Sequence, residues 1–340
     1  MIEKKSITII GAGSWGTALS LHLSKLGYKI NLWVYESFLC EEIKKTRENS
    51  EYLPGFNLPE LITPTTSLQK AIENNALIIL VVPTAFIRNI TKEMAPHLCS
   101  NNIVVNASKG IESDTLCLVQ NIFAHTIPKT CSFATLSGPT FATEVAKGYP
   151  SAIIAASRSK KIANLLKSIF SSPTLKVFTS DDPLGVEIGG ALKNVLAITT
   201  GISDGLGLGS NARAAIITRG LVEITRIGTA LGAKAETFSG LSGLGDLVLT
   251  CTGNLSRNRQ FGIRIGRGEK PNDIKNNMKV AVEGLLTLKS AYALMSKLSI
   301  QASIIEETYN VIYESKSPQK ALKDLMLTET TSEFAERKDM

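Results

Sequence analysis

Two lysines, one aspartate and a Ser-Arg-Asn turn are the residues whose types and spacing could do chemistry in this sequence. Lys193 follows Gly185 and Gly189 at intervals of four, so the three lie along one slowly drifting helix face. Glycine in a helix interior costs about 1 kcal/mol against alanine, and Gly189 and Gly190 are adjacent. Something must offset that cost: close packing against another helix, or a ligand that approaches the backbone and ends at the Lys193 ammonium, with Asn194 beside it. Lys109, in Ala107-Ser108-Lys109-Gly110, follows the apolar run Ile103-Val104-Val105-Asn106, and among such small neighbours it has room for an anion or a carbonyl oxygen. Asp246 closes the glycine-rich stretch Gly240-Leu241-Ser242-Gly243-Leu244-Gly245. It is a candidate N-cap of a short helix and also a candidate to hold Lys193 in place and charged. Ser256-Arg257-Asn258 opens a further helix. A hydroxyl, a guanidinium and an amide at a helix N-terminus suit a phosphate dianion; a solvated basic turn is the plainer alternative.

These residues need a frame, and the first part of the chain supplies it. The β-branched run Ser6-Ile7-Thr8-Ile9-Ile10 leads without a gap into Gly11-Ala12-Gly13-Ser14-Trp15-Gly16. In a strand–turn–helix unit Gly11 makes the tight turn, Gly13 lets a pyrophosphate approach the backbone, and Gly16 lets the helix pack on the strand. A second run, Lys29 to Val34, ends near Glu36, twenty residues past Gly16, where an acid can accept from ribose hydroxyls. Apolar runs at Leu77 to Val82, Ile103 to Asn106 and Phe133 to Leu136 alternate with helical patterns, the rhythm of a doubly wound parallel sheet. Ala152 to Ala156 and Leu175 to Phe178 extend that sheet on its far side. Ligands of such sheets bind beyond the carboxyl ends of the strands. The glycine turn, Pro83-Thr84, Lys109 and the Ser137-Gly138-Pro139-Thr140-Phe141 turn are therefore expected to line one crevice. Leu53 to Pro59 reads as a loop.

Past Ser180 helical periodicity takes over. Asp182 is an expected N-cap with Pro183 at the first helical position, Gly268 to Asn277 reads as a polar loop, and residues 328–340 read as a polar tail. The expected organisation is α/β plus all-α: a nucleotide-binding sheet domain over 1–180, a helical substrate domain over 181–327, and the tail.

Composition narrows the partners. The 340 residues carry a formal net charge of +7, with 44% hydrophobic and 20% charged residues, as in a soluble globular protein. No dense Lys/Arg block appears, so nucleic acid is not expected. The five cysteines are widely spaced without a Cys-x-x-Cys pair, which argues for reduced thiols and against zinc. His22, His97 and His125 show no ligand spacing, and no metal is expected. No apolar run reaches membrane-spanning length, and a cytoplasmic protein is expected.

Taken together, the glycine turn, Ala107 to Gly110, Ser137 to Ala142, Gly189-Gly190-Ala191-Leu192-Lys193-Asn194-Val195, Gly243 to Leu247, Ser256 to Arg259 and Val282-Glu283-Gly284 resemble the bacterial glycerol-3-phosphate dehydrogenases that use NAD or NADP. The matches span about Ile7 to Leu325 in order. The resemblance implies a Rossmann domain and a helical domain of the 6-phosphogluconate-dehydrogenase type. It further implies interconversion of dihydroxyacetone phosphate and sn-glycerol 3-phosphate for phospholipid synthesis, and a homodimer is expected. Carried onto this chain, the family pattern adds Ser14, Trp15, Tyr35, Lys109, Ala142, Arg257, Ala281 and Glu283 to the three glycines as cofactor contacts. It gives the substrate to Lys109, Gly138, Thr140, Lys193, Asp246, Ser256, Arg257 and Asn258. Lys193 becomes the proton-transferring residue, with Lys109 and Asp246 beside it. Tyr35-Glu36 departs from the pattern, since relatives often carry His or Arg there. Glu36 should repel the 2′-phosphate of NADP, whereas Lys44, Lys45 and Arg47 could compensate, which leaves NADH against NADPH open. Two other readings use the same frame: a hydroxy-acid dehydrogenase of this superfamily, which needs a carboxylate clamp, and a nucleotide-sensing regulator, which has no need of Lys193, Asp246 and the Ser-Arg-Asn turn together.

Overall fold

The computed structural model describes residues 6–277 and 282–327; Ala281 and the tail over 328–340 lie outside them. Among the described residues ten strands form, β1 (Ile7–Ile10), β2 (Ile30–Trp33), β3 (Glu48–Asn49), β4 (Leu53–Asn57), β5 (Ile62–Thr65), β6 (Leu77–Leu80), β7 (Ile103–Asn106), β8 (Ser132–Ser137), β9 (Ser151–Ala156) and β10 (Leu175–Ser180). Eight of them make one sheet in the order β10-β9-β8-β7-β6-β1-β2-β5. From β8 to β5 every pair is parallel. All residues of β1 and β6 are buried, as strands covered by helices on both faces must be. The chain runs outward from β1 to β2 and β5, then returns to β6 on the other side. The strand order therefore reverses between β1 and β6, where such sheets open their ligand crevice. As expected, β9 and β10 extend the far edge, but β9 runs antiparallel to β8.

Two expectations of irregular chain are corrected. Leu53 to Pro59 is not simply a loop: Leu53–Asn57 is β4, paired antiparallel with β3, and Pro54 and Gly55 are tolerated because this two-stranded ribbon is all edge. The segment 268–277 contains a short helix, Pro271–Asn276, with proline at its start and Asp273 in its first turn, both favourable there.

The helical half is built on Pro183–Gly205, a helix buried along nearly its whole length. It starts as its sequence dictates, with Pro183 in the first turn and Asp182 Oδ1 accepting from Gly185 N at 2.9 Å. Further along it crosses helix Arg257–Gly266 at glycines on both sides. A Cβ on Gly201 would sit 2.1 Å from Arg259 O, and one on Gly262 2.1 Å from Ile198 O. Only bare backbones allow that approach, which brings the Ser-Arg-Asn turn alongside the Lys193 helix. Among the described residues no helix is long and apolar enough to cross a membrane.

Candidate active site

Both lysines converge on one carboxylate. Lys193 Nζ donates to Asp246 Oδ1 and, at 2.9 Å, to Thr250 Oγ1. Lys109 Nζ donates to Asp246 Oδ2 at 2.6 Å and to Gly138 O at 3.2 Å. Asp246 is fully buried and Lys193 nearly so. The capping alternative for Asp246 fails: it is the first residue of helix Asp246–Thr252, following a π-type turn over Leu241–Gly245, and its side chain caps nothing. The glycine face packs closely against its neighbours, one of the two readings weighed for it. A Cβ on Gly189 would meet Ser242 O at 2.6 Å, so this glycine seats the turn that carries Asp246. One on Gly190 would meet Ser137 Oγ at 2.9 Å and Lys109 Cγ at 3.6 Å, so its neighbour makes room for Lys109.

Burial drives the Lys193 ammonium down from 10.5 to about 8; Asp246 pulls it back up, and Lys109 lowers it further. Glu283 is raised by burial against the opposing pull of Arg257, Lys109 and Lys193, which puts Glu283, the Ser-Arg-Asn turn and the lysine pair within one electrostatic field. That turn divides its labour. Ser256 is the N-cap of its helix, accepting from Arg259 N at 3.3 Å with its O–H left to donate. Asn258 donates to Asn194 Oδ1 at 2.9 Å and accepts from Gly284 N at 3.0 Å, which fixes three helices to one another. The Arg257 side chain is exposed and makes no hydrogen bond among the described residues. Arg259 is held by Asp204 and Asn254.

At the carboxyl end of β1 the three glycines behave as their spacing requires. Gly11 has φ +115°, and a Cβ there would lie 2.6 Å from Val81 O; one on Gly16 would lie 1.9 Å from Gly11 O. A Cβ on Gly13 would meet nothing within 4 Å, so open space faces the backbone where helix Ser14–Lys25 begins. Its first-turn N–H groups have no partner within the helix, and no acid stands in that turn. These residues fit a dinucleotide pyrophosphate. Lys109 follows β7, two strands from β1, about 10 Å across the sheet. Thr140 Oγ1 donates to Gly138 O at 3.3 Å. Ala142 opens helix Ala142–Lys147 behind that turn, Trp15 is half-buried, and Tyr35 is 77% exposed. Thr250 was not singled out from the sequence; its signal was its place four residues after Asp246, on the same helix face.

A family model described as the N-terminus of NAD-dependent glycerol-3-phosphate dehydrogenase matches residues 6–163, and its C-terminal counterpart matches 182–323. The chain belongs to the NAD-dependent glycerol-3-phosphate dehydrogenase family. A glycerol-3-phosphate dehydrogenase [NAD(P)+] of Syntrophotalea carbinolica is 47% identical over 323 residues, covering 94% of this chain and 97% of that protein. Its counterpart from Geobacter sulfurreducens is 46% identical, covering 96% and 98%. The crystal structure of glycerol-3-phosphate dehydrogenase from Coxiella burnetii superposes with a TM-score of 0.92 at 39% identity, over 96% of this chain and all of that one. Within this family the sheet with its helical partner domain is the expected architecture, and both halves of the chain match.

Proposed function

We propose that the chain interconverts dihydroxyacetone phosphate and sn-glycerol 3-phosphate at the Lys193–Asp246–Lys109 cluster, with NAD or NADP as hydride carrier. The observation that carries the site assignment is the buried Asp246 carboxylate shared by two lysines. The cofactor, when bound, supplies or takes the hydride at the substrate's second carbon. Lys193 Nζ gives a proton to the carbonyl oxygen in reduction and takes one back in oxidation, a task suited to a group titrating near 8. Lys109 polarises that oxygen, and Asp246 holds both ammonium groups in register. Arg257, the free O–H of Ser256 and the neighbouring Asn258 clamp the phosphate, which turns binding energy into orientation. Glu283 and Arg257 border the cofactor; Gly138, Thr140 and Ala142 shape the wall opposite.

The domain division at 180/181 belongs to this reading. It is supported by separate apolar cores in the sheet and in the helices, although Ile111 and Leu118 pack into the helical one. So do a homodimer, which sedimentation would test, and a cytoplasmic location, with which five free thiols agree. The product would feed glycerophospholipid synthesis.

The deciding assay follows nicotinamide absorbance with dihydroxyacetone phosphate and each reduced cofactor. Lys193→Ala should lose about 10²–10⁴-fold in kcat while binding cofactor as the wild type does; near-normal kcat would reject its role.

A further inference from the structure

Glu36 follows β2 at the N-terminus of helix Ser37–Thr46. Tyr52, in the turn between β3 and β4, donates its phenol to Glu36 Oε1 at 2.9 Å. The same residue is tied to the glycine turn twice over. Its carbonyl accepts from Ser14 Oγ at 2.6 Å, and its N–H donates to Asn49 Oδ1 at 3.1 Å. Asn49, fully buried, in turn donates to Ala12 O at 2.7 Å and Thr17 Oγ1 at 2.8 Å. The β3–β4 ribbon thus holds the pyrophosphate turn and the acid at the end of β2 as one unit. Burial first, then Glu36, raise the Tyr52 phenol to about 12, so it remains a donor throughout the working range.

The three cations weighed as offsets to Glu36 are committed or distant. Arg47 donates to the carbonyls of Leu58 at 3.0 Å, Ile62 at 2.9 Å and Pro59. Lys44 pairs with Glu41 at 2.7 Å. Lys45 lies nine residues along the helix from Glu36, about 13 Å at 1.5 Å per residue.

We infer that the chain selects NAD over NADP: Glu36, held by Tyr52, accepts from the adenosine ribose diol and repels a 2′-phosphate, with Arg47 and Lys44 committed elsewhere and Lys45 distant. Tyr52 is a positioning residue for this choice. The inference rests on the dehydrogenase reading only in taking a nicotinamide dinucleotide as the ligand, and binding tests it apart from turnover. Quenching of Trp15 and Trp33 fluorescence is titrated with NADH and with NADPH. The wild type should bind NADH at least tenfold more tightly. Glu36→Gln should bring the two within about threefold of each other, and Tyr52→Phe should weaken NADH several-fold with NADPH unchanged. Equal or tighter NADPH binding by the wild type would overturn the inference, as would a Tyr52→Phe protein whose NADH/NADPH ratio is unaltered. General loosening of the fold would weaken both ligands alike, and that result also counts against it. NADH selected but dihydroxyacetone phosphate not reduced would defeat the proposed function alone; reduction with NADPH preferred would defeat this inference alone.

Discussion

At the scale of single residues, the site depends on one anion serving two cations. Removing one member of a buried ion pair leaves its partners uncompensated. Here the response is readable in a titration. In the proposed mechanism reduction needs Lys193 as the ammonium, so its rate should be level below about pH 8 and fall roughly tenfold per unit above it. Oxidation needs the free amine and should rise to a plateau over the same interval. Asp246 raises the Lys193 value against burial and Lys109. Asp246→Asn should therefore shift the alkaline limb of reduction to lower pH, and kcat–pH profiles of the two proteins check it; an unmoved limb would mean that Lys193 is not the titrating donor. Lys109 was legible because it stands among small residues just past a strand, and Lys193 because it continues the four-residue spacing of Gly185 and Gly189. Asp246 was legible as a partner for Lys193, but its second ion pair was not: Lys109 lies 137 positions away, and spacing says nothing about contacts of that range.

At the scale of elements, the helix face bearing Gly189 and Gly190 is a joint rather than a weak point. Alanine should favour an isolated helix by about 1 kcal/mol at either position, yet the two sites differ in what a methyl would meet. At Gly189 it is the Ser242 carbonyl at 2.6 Å, backbone that cannot rotate away. Gly189→Ala should cost about 1–3 kcal/mol and reduce kcat, because the displaced turn carries Asp246. At Gly190 it is the Ser137 hydroxyl, which can turn, so Gly190→Ala should be milder in both. Urea unfolding with kcat measured on the same proteins tests the order, and a reversed order would refute this account of the joint. The paired glycines were legible as a close approach, but what approached was not. The β3–β4 ribbon was missed for a related reason: Pro54 and Gly55 argue against a strand locally, and the buried Asn49 that anchors the ribbon to Ala12 finds its partners only once the sheet is assembled. Strands buried on both faces, such as β1 and β6, needed no such help.

At the scale of the whole molecule, two buried carboxyls bind the parts together. Glu187, on the Lys193 helix, accepts from Asn106 at the end of β7 at 2.7 Å, from Thr135 in β8 at 3.2 Å and from Gln120 N at 3.1 Å. It therefore joins the sheet to the helical half. Asn106 in turn accepts from Ser108 N at 2.9 Å, next to Lys109. Glu223 accepts from Ile304 N at 2.8 Å and Ile305 N at 3.2 Å, securing the start of helix Ser303–Tyr313. Burial raises both from 4.5 to about 7. A carboxyl that keeps its proton longer when folded contributes stability in full below about 4.5 and loses it as pH rises through about 7. At about 1.4 kcal/mol per unit, each is worth on the order of 3 kcal/mol across that window. Wild-type stability from these two groups should thus decline between about pH 4.5 and 7. Glu187→Gln cannot titrate, so its urea midpoint should fall less over that range, even though it starts lower for want of a second acceptor for Gln120 N. Parallel pH dependences in the two proteins would show that Glu187 is already ionised in the folded state and that its three donors, rather than a retained proton, hold the sheet to the helices.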